Sequence, residues 1–280
     1  GDEYEGPVGL KNLIREFDPA SLVSGRLIVI PVFNVPAFKA DRRDSPLDGV
    51  NMNRAFPGNA NGTITSRMAR FLTDNVLSRA DILIDIHSGG QGWQIVPCMS
   101  FHETPDQATF QRFKKTAMLF GTPFVMVYTS GMGTGLLTEE SEKMGITTIG
   151  SELGYGASTN LTGVRSAHEG MLNVMREAGL IEGDIISLTP PGLDRQRVLK
   201  ALDIDAWVTA PADGIIEPVA ALGSAVRKGD LVGRLHDFDR WDEPGVEIRA
   251  DKDGYVMVRK FRAATKQGDV VMVIGEEVTD

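Results

Sequence analysis

A single cysteine, Cys98, stands among the 280 residues. It has no intramolecular partner, so no disulfide framework holds this chain, as expected of a protein kept in a reducing cytoplasm. Long apolar runs are also missing: none approaches the roughly 18 residues that a spanning helix needs, and no membrane partner is expected. Basic charge is in deficit, with 29 Lys and Arg against 38 Asp and Glu and a formal net charge of −9. That balance argues against a nucleic-acid partner. There is no initiator Met, and Gly1-Asp-Glu-Tyr-Glu-Gly-Pro7 has no signal-peptide pattern. The chain reads as a native sequence entered midway, with an upstream strand expected before Gly1. Its length predicts one large α/β domain and a smaller module, and is compatible with a homo-oligomer.

What is present is organised around Asp81-Ile-Leu-Ile-Asp-Ile-His87-Ser-Gly-Gly90. An apolar, β-branched run ending in a lone imidazole reads as a buried parallel-type strand with His87 at its carboxyl end, where open α/β sheets place ligands. A histidine there is either a hydrogen-bonded core residue or a metal or catalytic group; Ser88-Gly89-Gly90 would leave room for a ligand beside it. Ile146-Thr-Thr-Ile-Gly-Ser-Glu152 is a second strand that carries a carboxylate to its end before Leu153-Gly-Tyr-Gly156. Glu152 is either a surface residue capping a glycine turn or a catalytic acid/base.

Between and around these lie amphipathic helices at Val8–Phe17, Thr65–Leu77, Pro105–Phe120 and Ser166–Ala178, a helix at Leu136–Met144, and strands at Arg26–Pro31 and Phe124–Tyr128. Alternating helices and short apolar strands predict an α/β fold with a mostly parallel sheet covered by helices. Residues 33–62 form an irregular loop long enough to be functional. Gly131-Met-Gly-Thr-Gly135 has neither the spacing nor the Lys of a phosphate loop and reads as a turn. Composition shifts near residues 187–205, a linker, which divides the chain into an α/β domain over 1–190 and a β-domain over 205–280. In the second, Ala210-Pro-Ala-Asp-Gly-Ile-Ile216 parallels Ala250-Asp-Lys-Asp-Gly-Tyr-Val256, and Val226-Arg-Lys-Gly-Asp-Leu-Val232 parallels Thr265-Lys-Gln-Gly-Asp-Val-Val271. The half-repeats predict a small pseudo-symmetric barrel or sandwich. They resemble those of lipoyl and biotinyl carrier domains, but no hairpin lysine stands between the halves, so a structural or pocket-covering role is expected.

Taken in order, Gly1-Asp-Glu3, Asn51-Met-Asn-Arg54-Ala-Phe-Pro-Gly58, Asp85-Ile-His87-Ser and Glu152 resemble the motifs of the succinylglutamate desuccinylase and aspartoacylase family. The likeness covers nearly the whole chain and implies a zinc-carboxypeptidase-like fold with an appended barrel-sandwich-like β-domain. It further implies a Zn2+ cofactor held by Glu3, His87 and a His immediately before Gly1, which lies outside this sequence. Glu152 would be the general base, and Arg43 would polarise the scissile carbonyl. Arg54, assisted by Asn53, would clamp the substrate carboxylate. Without the resemblance, Arg42 and Arg43 read equally well as a solvated pair of charges.

The wording of Arg43-x-Ser-Pro-x-Asp-Gly-x-Asn-Met-Asn-Arg54 and Glu152-Leu-Gly-x-Gly is closer to the bacterial branch of N-acetyl-diaminobutyrate deacetylase, although Asn51 stands where the family usually carries Asp. The expected function is therefore zinc-dependent cleavage of the linear amide of a small N-acyl amino acid. The alternatives are a carboxypeptidase acting on short peptides and an inactive binding module.

Overall fold

The computed structural model describes residues 1–129, 134–201 and 204–278. Strand Ile82–His87 pairs in parallel with Thr147–Glu152, and the register sets His87 directly opposite Glu152. Thr147–Glu152 continues antiparallel into Cys98–His102, which runs parallel to Phe124–Tyr128 and, beyond it, Arg197–Lys200. These five strands are thus parallel but for one seam, with Phe124–Tyr128 buried at every position and Cys98–His102 at all but His102. Helices Gln107–Met118 and Leu161–Glu177 flank them, closing a core of Met99, Phe101, Phe113, Phe120, Val125 and Ile149.

Local chemistry explains the helix ends. Asp106 and Asn160 each accept a hydrogen bond from the backbone N–H three residues on, satisfying a donor the first turn leaves orphaned. The Asn160 cap starts its helix at Leu161, ahead of the expected Ser166. Helix Glu5–Glu16 likewise starts before Pro7, because proline in a first turn lacks only an N–H that had no partner to lose.

One expected strand is absent. Arg26–Pro31 forms no ladder, and its Ile28 and Ile30 are 43% and 37% exposed. Arg26, Leu27, Ile28 and Ile30 line an apolar groove of about 540 Å³ together with residues 82–86 of the edge strand. An apolar stretch becomes a strand only by hydrogen bonding to a neighbour, and Arg26–Pro31 pairs with none among the described residues. Residues 131–133 of the expected glycine-rich turn lie outside the described residues.

Within the stretch read as linker, Arg197–Lys200 is itself a strand and pairs with the end of Val270–Glu277. That last strand pairs with Gly254–Lys260, which takes up Trp93–Ile95 on its far side. A second, four-stranded antiparallel sheet comprises Val246–Arg249, Leu231–His236, Gly214–Pro218 and Ala264–Thr265. The half-repeats fold crosswise: Asp213 accepts from the Gln267 N–H and Asp253 from the Lys228 N–H, both at 2.8 Å. Matching backbone bonds run from Gly268 to Ala210 and from Gly229 to Ala250. Each Asp-Gly turn of one half holds the Gly-Asp turn of the other.

Candidate active site

Glu3 lies just before helix Glu5–Glu16, and His87 ends its strand, so the site forms where the first helix meets the carboxyl edge of the sheet. His87 Nδ1 lies 2.7 Å from Glu3 Oε2. On its other side, His87 Nε2 lies 3.1 Å from Asp85 Oδ2 and 3.1 Å from Asn53 Nδ2. The Ser88 N–H donates to Glu3 Oε2 at 3.0 Å, and Arg43 approaches Glu3 Oε1 at 3.5 Å. Asn53 is fixed in turn by accepting from the Leu137 N–H at 2.8 Å. Glu3, Arg43, Asn51, Asn53, Asp85 and His87 wall a cavity of about 170 Å³.

The charges are strongly interdependent. Burial pushes the Glu3 carboxyl up, but the adjoining His87 and the Ser88 N–H outweigh it and hold it below the usual range. Burial opposes protonation of His87; Asp85 and Glu3 overcome it and raise the imidazole well above its ordinary value. At Glu152 the compensation is weaker, since the positive charges of His87 and Arg43 do not outweigh burial. Glu152 Oε2 is sealed from solvent without a hydrogen bond among the described residues, and burial reinforced by the Glu3 charge pushes its carboxyl up to about 8.

The structure therefore brings together Glu3, His87, Arg43 and Asn53, with Glu152 close enough to be repelled by Glu3. Arg54 stands at the margin: its guanidinium turns back to donate to the Asn53 carbonyl at 2.5 Å. His168 pairs with Glu16 and Glu169, and His236 with Glu217, away from the cavity. Asp85, named above only as part of a motif, gains a role of its own here, because residues two apart on a strand share a face and Asp85-x-His87 carries that signal. Glu5 and Ser88 had no comparable signature. The small residues after His87 also serve another purpose than expected. A Cβ on Gly90, at φ +51°, would lie 2.6 Å from Asp2 Oδ2, and one on Gly89 would meet the Trp93 backbone at 2.3 Å. Their room is taken by protein.

A carboxylate oxygen and an imidazole nitrogen converging on one point, with the far imidazole nitrogen held by a carboxylate, are the donor types and outer support that zinc takes. Glu3 and His87 fit such an ion as two of its ligands. Among the described residues, no group of three His, Cys, Asp or Glu side chains is arranged to hold a metal.

Residues 1–178 match the family model for the succinylglutamate desuccinylase/aspartoacylase catalytic domain. The chain belongs to this family. It is 33% identical over 278 residues to the N-alpha-acetyl-L-2,4-diaminobutyric acid deacetylase of Halomonas elongata, spanning 99% of this chain and 80% of that protein. A succinylglutamate desuccinylase/aspartoacylase crystal structure from Rhodobacter sphaeroides superposes with TM-score 0.92 at 34% identity, covering 100% of this chain and 83% of that one. The product-bound ectoine utilization protein EutE (DoeB) from Ruegeria pomeroyi gives TM-score 0.89 at 36% identity, covering 99% and 82%. These likenesses extend over the α/β sheet and the C-terminal β strands alike, so the mixed architecture is the family's own. No helix among the described residues is long and apolar enough to cross a membrane.

Proposed function

We propose that this family member is a zinc-dependent deacylase that cleaves the amide of a small N-acyl amino acid, with an N-acetylated diaminobutyrate as the leading substrate. The observation that carries the reading is the register of the two parallel strands, which sets His87 and its partner Glu3 beside Glu152, whose buried Oε2 has no hydrogen-bond partner among the described residues. The substrate assignment leans on the Halomonas elongata and Ruegeria pomeroyi relatives. A cytoplasmic setting is supported by the lone, buried Cys98.

Glu3 and His87 would hold the zinc, with Asp85 fixing the imidazole ring. A bound zinc supplies Lewis-acid polarisation and makes water acidic near neutral pH. The rest is the work of the chain's own side chains. Glu152 would accept a proton from the attacking water and return it to the leaving amine nitrogen, once a cation shared by Glu3 and His87 offsets the Glu3 charge that keeps its carboxyl protonated in the metal-free protein. Arg43 is placed beside Glu3 to meet the negative charge that develops on the carbonyl oxygen. Asn53 and Arg54 provide an amide and a planar guanidinium for the substrate carboxylate, once Arg54 swings away from the Asn53 carbonyl.

Glu152→Ala in the zinc-loaded protein, assayed on a panel of N-acetyl amino acids, tests the reading. Turnover should be abolished with zinc content unchanged; loss of zinc together with activity would make Glu152 a ligand instead. Rapid cleavage of short peptides in preference to N-acetyl amino acids, or purification of a full-length protein that binds no zinc, would overturn the assignment.

A further inference from the structure

The most enclosed carboxylate beside the site is one that the proposed chemistry does not use. Glu5 is 0% exposed, and each of its oxygens accepts one hydrogen bond: Oε2 from the Ser88 hydroxyl at 2.6 Å, Oε1 from Asn160 Nδ2 at 2.8 Å. Space for it is reserved in the backbone. A Cβ on Gly154 would fall 1.8 Å from Glu5 Oε1, and one on Gly163 2.8 Å from Glu5 Cγ. Burying a carboxylate is costly, and an apolar side chain would join helix to sheet more cheaply.

The two partners show what the carboxylate holds. Ser88 follows His87, and its N–H is the donor to Glu3 Oε2. Asn160 donates a second bond, at 2.9 Å, to the carbonyl of Leu153, the residue after Glu152, while its Oδ1 caps helix Leu161–Glu177. The Leu153 N–H in turn donates to the His87 carbonyl at 2.9 Å. One carboxylate therefore binds the segment after His87 on one oxygen and the segment after Glu152 on the other.

We propose that Glu5 is a positioning residue of this site, holding the Glu3–His87 pair and the Glu152 strand end in mutual register through Ser88 and Asn160. This rests on the deacylase reading for the roles of Glu3, His87 and Glu152. A glutamine at position 5 keeps the shape. Its amide group must then face Ser88, whose hydroxyl can rotate to accept, because Asn160 has both amide hydrogens and its oxygen committed. One of the two acceptor oxygens is lost while the packing remains.

The test uses Glu5→Gln, Ser88→Ala and the double variant, with zinc alone as the binding probe and an N-acetyl amino acid as substrate. Glu5→Gln should fold with an unchanged circular dichroism spectrum, lose about 10- to 100-fold in zinc affinity or kcat, the range seen for outer-shell partners, and keep KM within about twofold. Ser88→Ala should show the same kind of defect, and the double variant should be little worse than the poorer single one, because both act through one chain of contacts. Wild-type zinc affinity and kcat in Glu5→Gln, with only the unfolding midpoint lowered, would reduce Glu5 to structural glue and overturn the proposal. Should Glu5→Gln fail to fold, Ser88→Ala decides alone, and its wild-type behaviour would be refuting. A wild-type protein that neither binds zinc nor turns over N-acetyl amino acids would remove the deacylase reading and this proposal with it; an active wild type with indifferent variants removes this proposal only.

Discussion

Replacing Glu152 with Gln should change how the stability of the metal-free protein depends on pH. The carboxyl group titrates near 4.5 in an unfolded chain and near 8 in the folded one, raised by burial and by the neighbouring Glu3 charge. Between those values the folded state keeps a proton that the unfolded state has released, so stability falls as pH rises. The contribution is complete below 4.5 and lost as pH climbs through 8. The slope for one proton is about 1.4 kcal/mol per pH unit, which over this window sets a ceiling of about 5 kcal/mol. Because Glu3 and His87 readjust their own charges as Glu152 ionises, roughly half of that, ~2–3 kcal/mol, is the expected measurable effect. Glutamine has no proton to lose and should lack this slope. Urea unfolding of both proteins with a chelator present, from pH 5 to 9, reads it directly as a divergence in midpoint at constant m. Stability curves that run parallel over the whole range would refute the idea that Glu152 is held protonated. Zinc should flatten the difference, since a cation shared by Glu3 and His87 offsets the repulsion that helps raise Glu152.

Three further outcomes follow from the same geometry. Asp85→Asn leaves His87 Nε2 with a weaker partner and should cost about 10- to 100-fold in zinc affinity by competition with a chelator; unchanged affinity would show that Asp85 does not support the imidazole. Arg43→Ala should lower kcat by about 10²- to 10³-fold at nearly constant KM, as for loss of one oxyanion donor, whereas Arg54→Ala should act mainly on KM; a reversed split would exchange their roles. In the β-domain turns, Asp213→Ala and Asp253→Ala each remove the acceptor of one backbone N–H of the opposite half-repeat, Asp213 losing an exposed pair with Lys266 as well; because an exposed pair adds little, both should destabilise by similar amounts, about 0.5–1.5 kcal/mol by thermal or chemical unfolding. Strongly unequal losses would mean that the crosswise symmetry does not extend to energetics.

Features governed by one stretch of chain were legible from the residues alone. Phe124–Tyr128 is apolar at every position and buried at every position, and its strand has the bounds its sequence indicates. The paired Asp-Gly and Gly-Asp turns announced the half-repeats, although not that each would clasp its counterpart crosswise. His87 and Glu152 were recognisable because each ends an apolar run, and a register that depends on both strands then set them opposite each other. Arg26–Pro31 shows where local reading fails, since its residues suit a strand but a ladder needs a partner from elsewhere in the chain, and it pairs with none among the described residues. Cys98–His102 was overlooked for the converse reason. It is short, mixes sulfur, hydroxyl and imidazole groups, and owes its burial to neighbours on both sides.

Glu5 is the extreme case. By itself it is an acidic residue in the first turn of a helix, a placement that the helix dipole favours and that asks for no further explanation. Its burial is produced by Ser88, 83 residues away, and Asn160, 155 residues away, together with two glycines that leave a carboxylate-sized gap. None of these residues is unusual in its own segment. Their joint effect exists only once the first helix, the His87 turn and the cap of helix Leu161–Glu177 have converged, so a side chain that organises the site carries no mark of it in the linear chain.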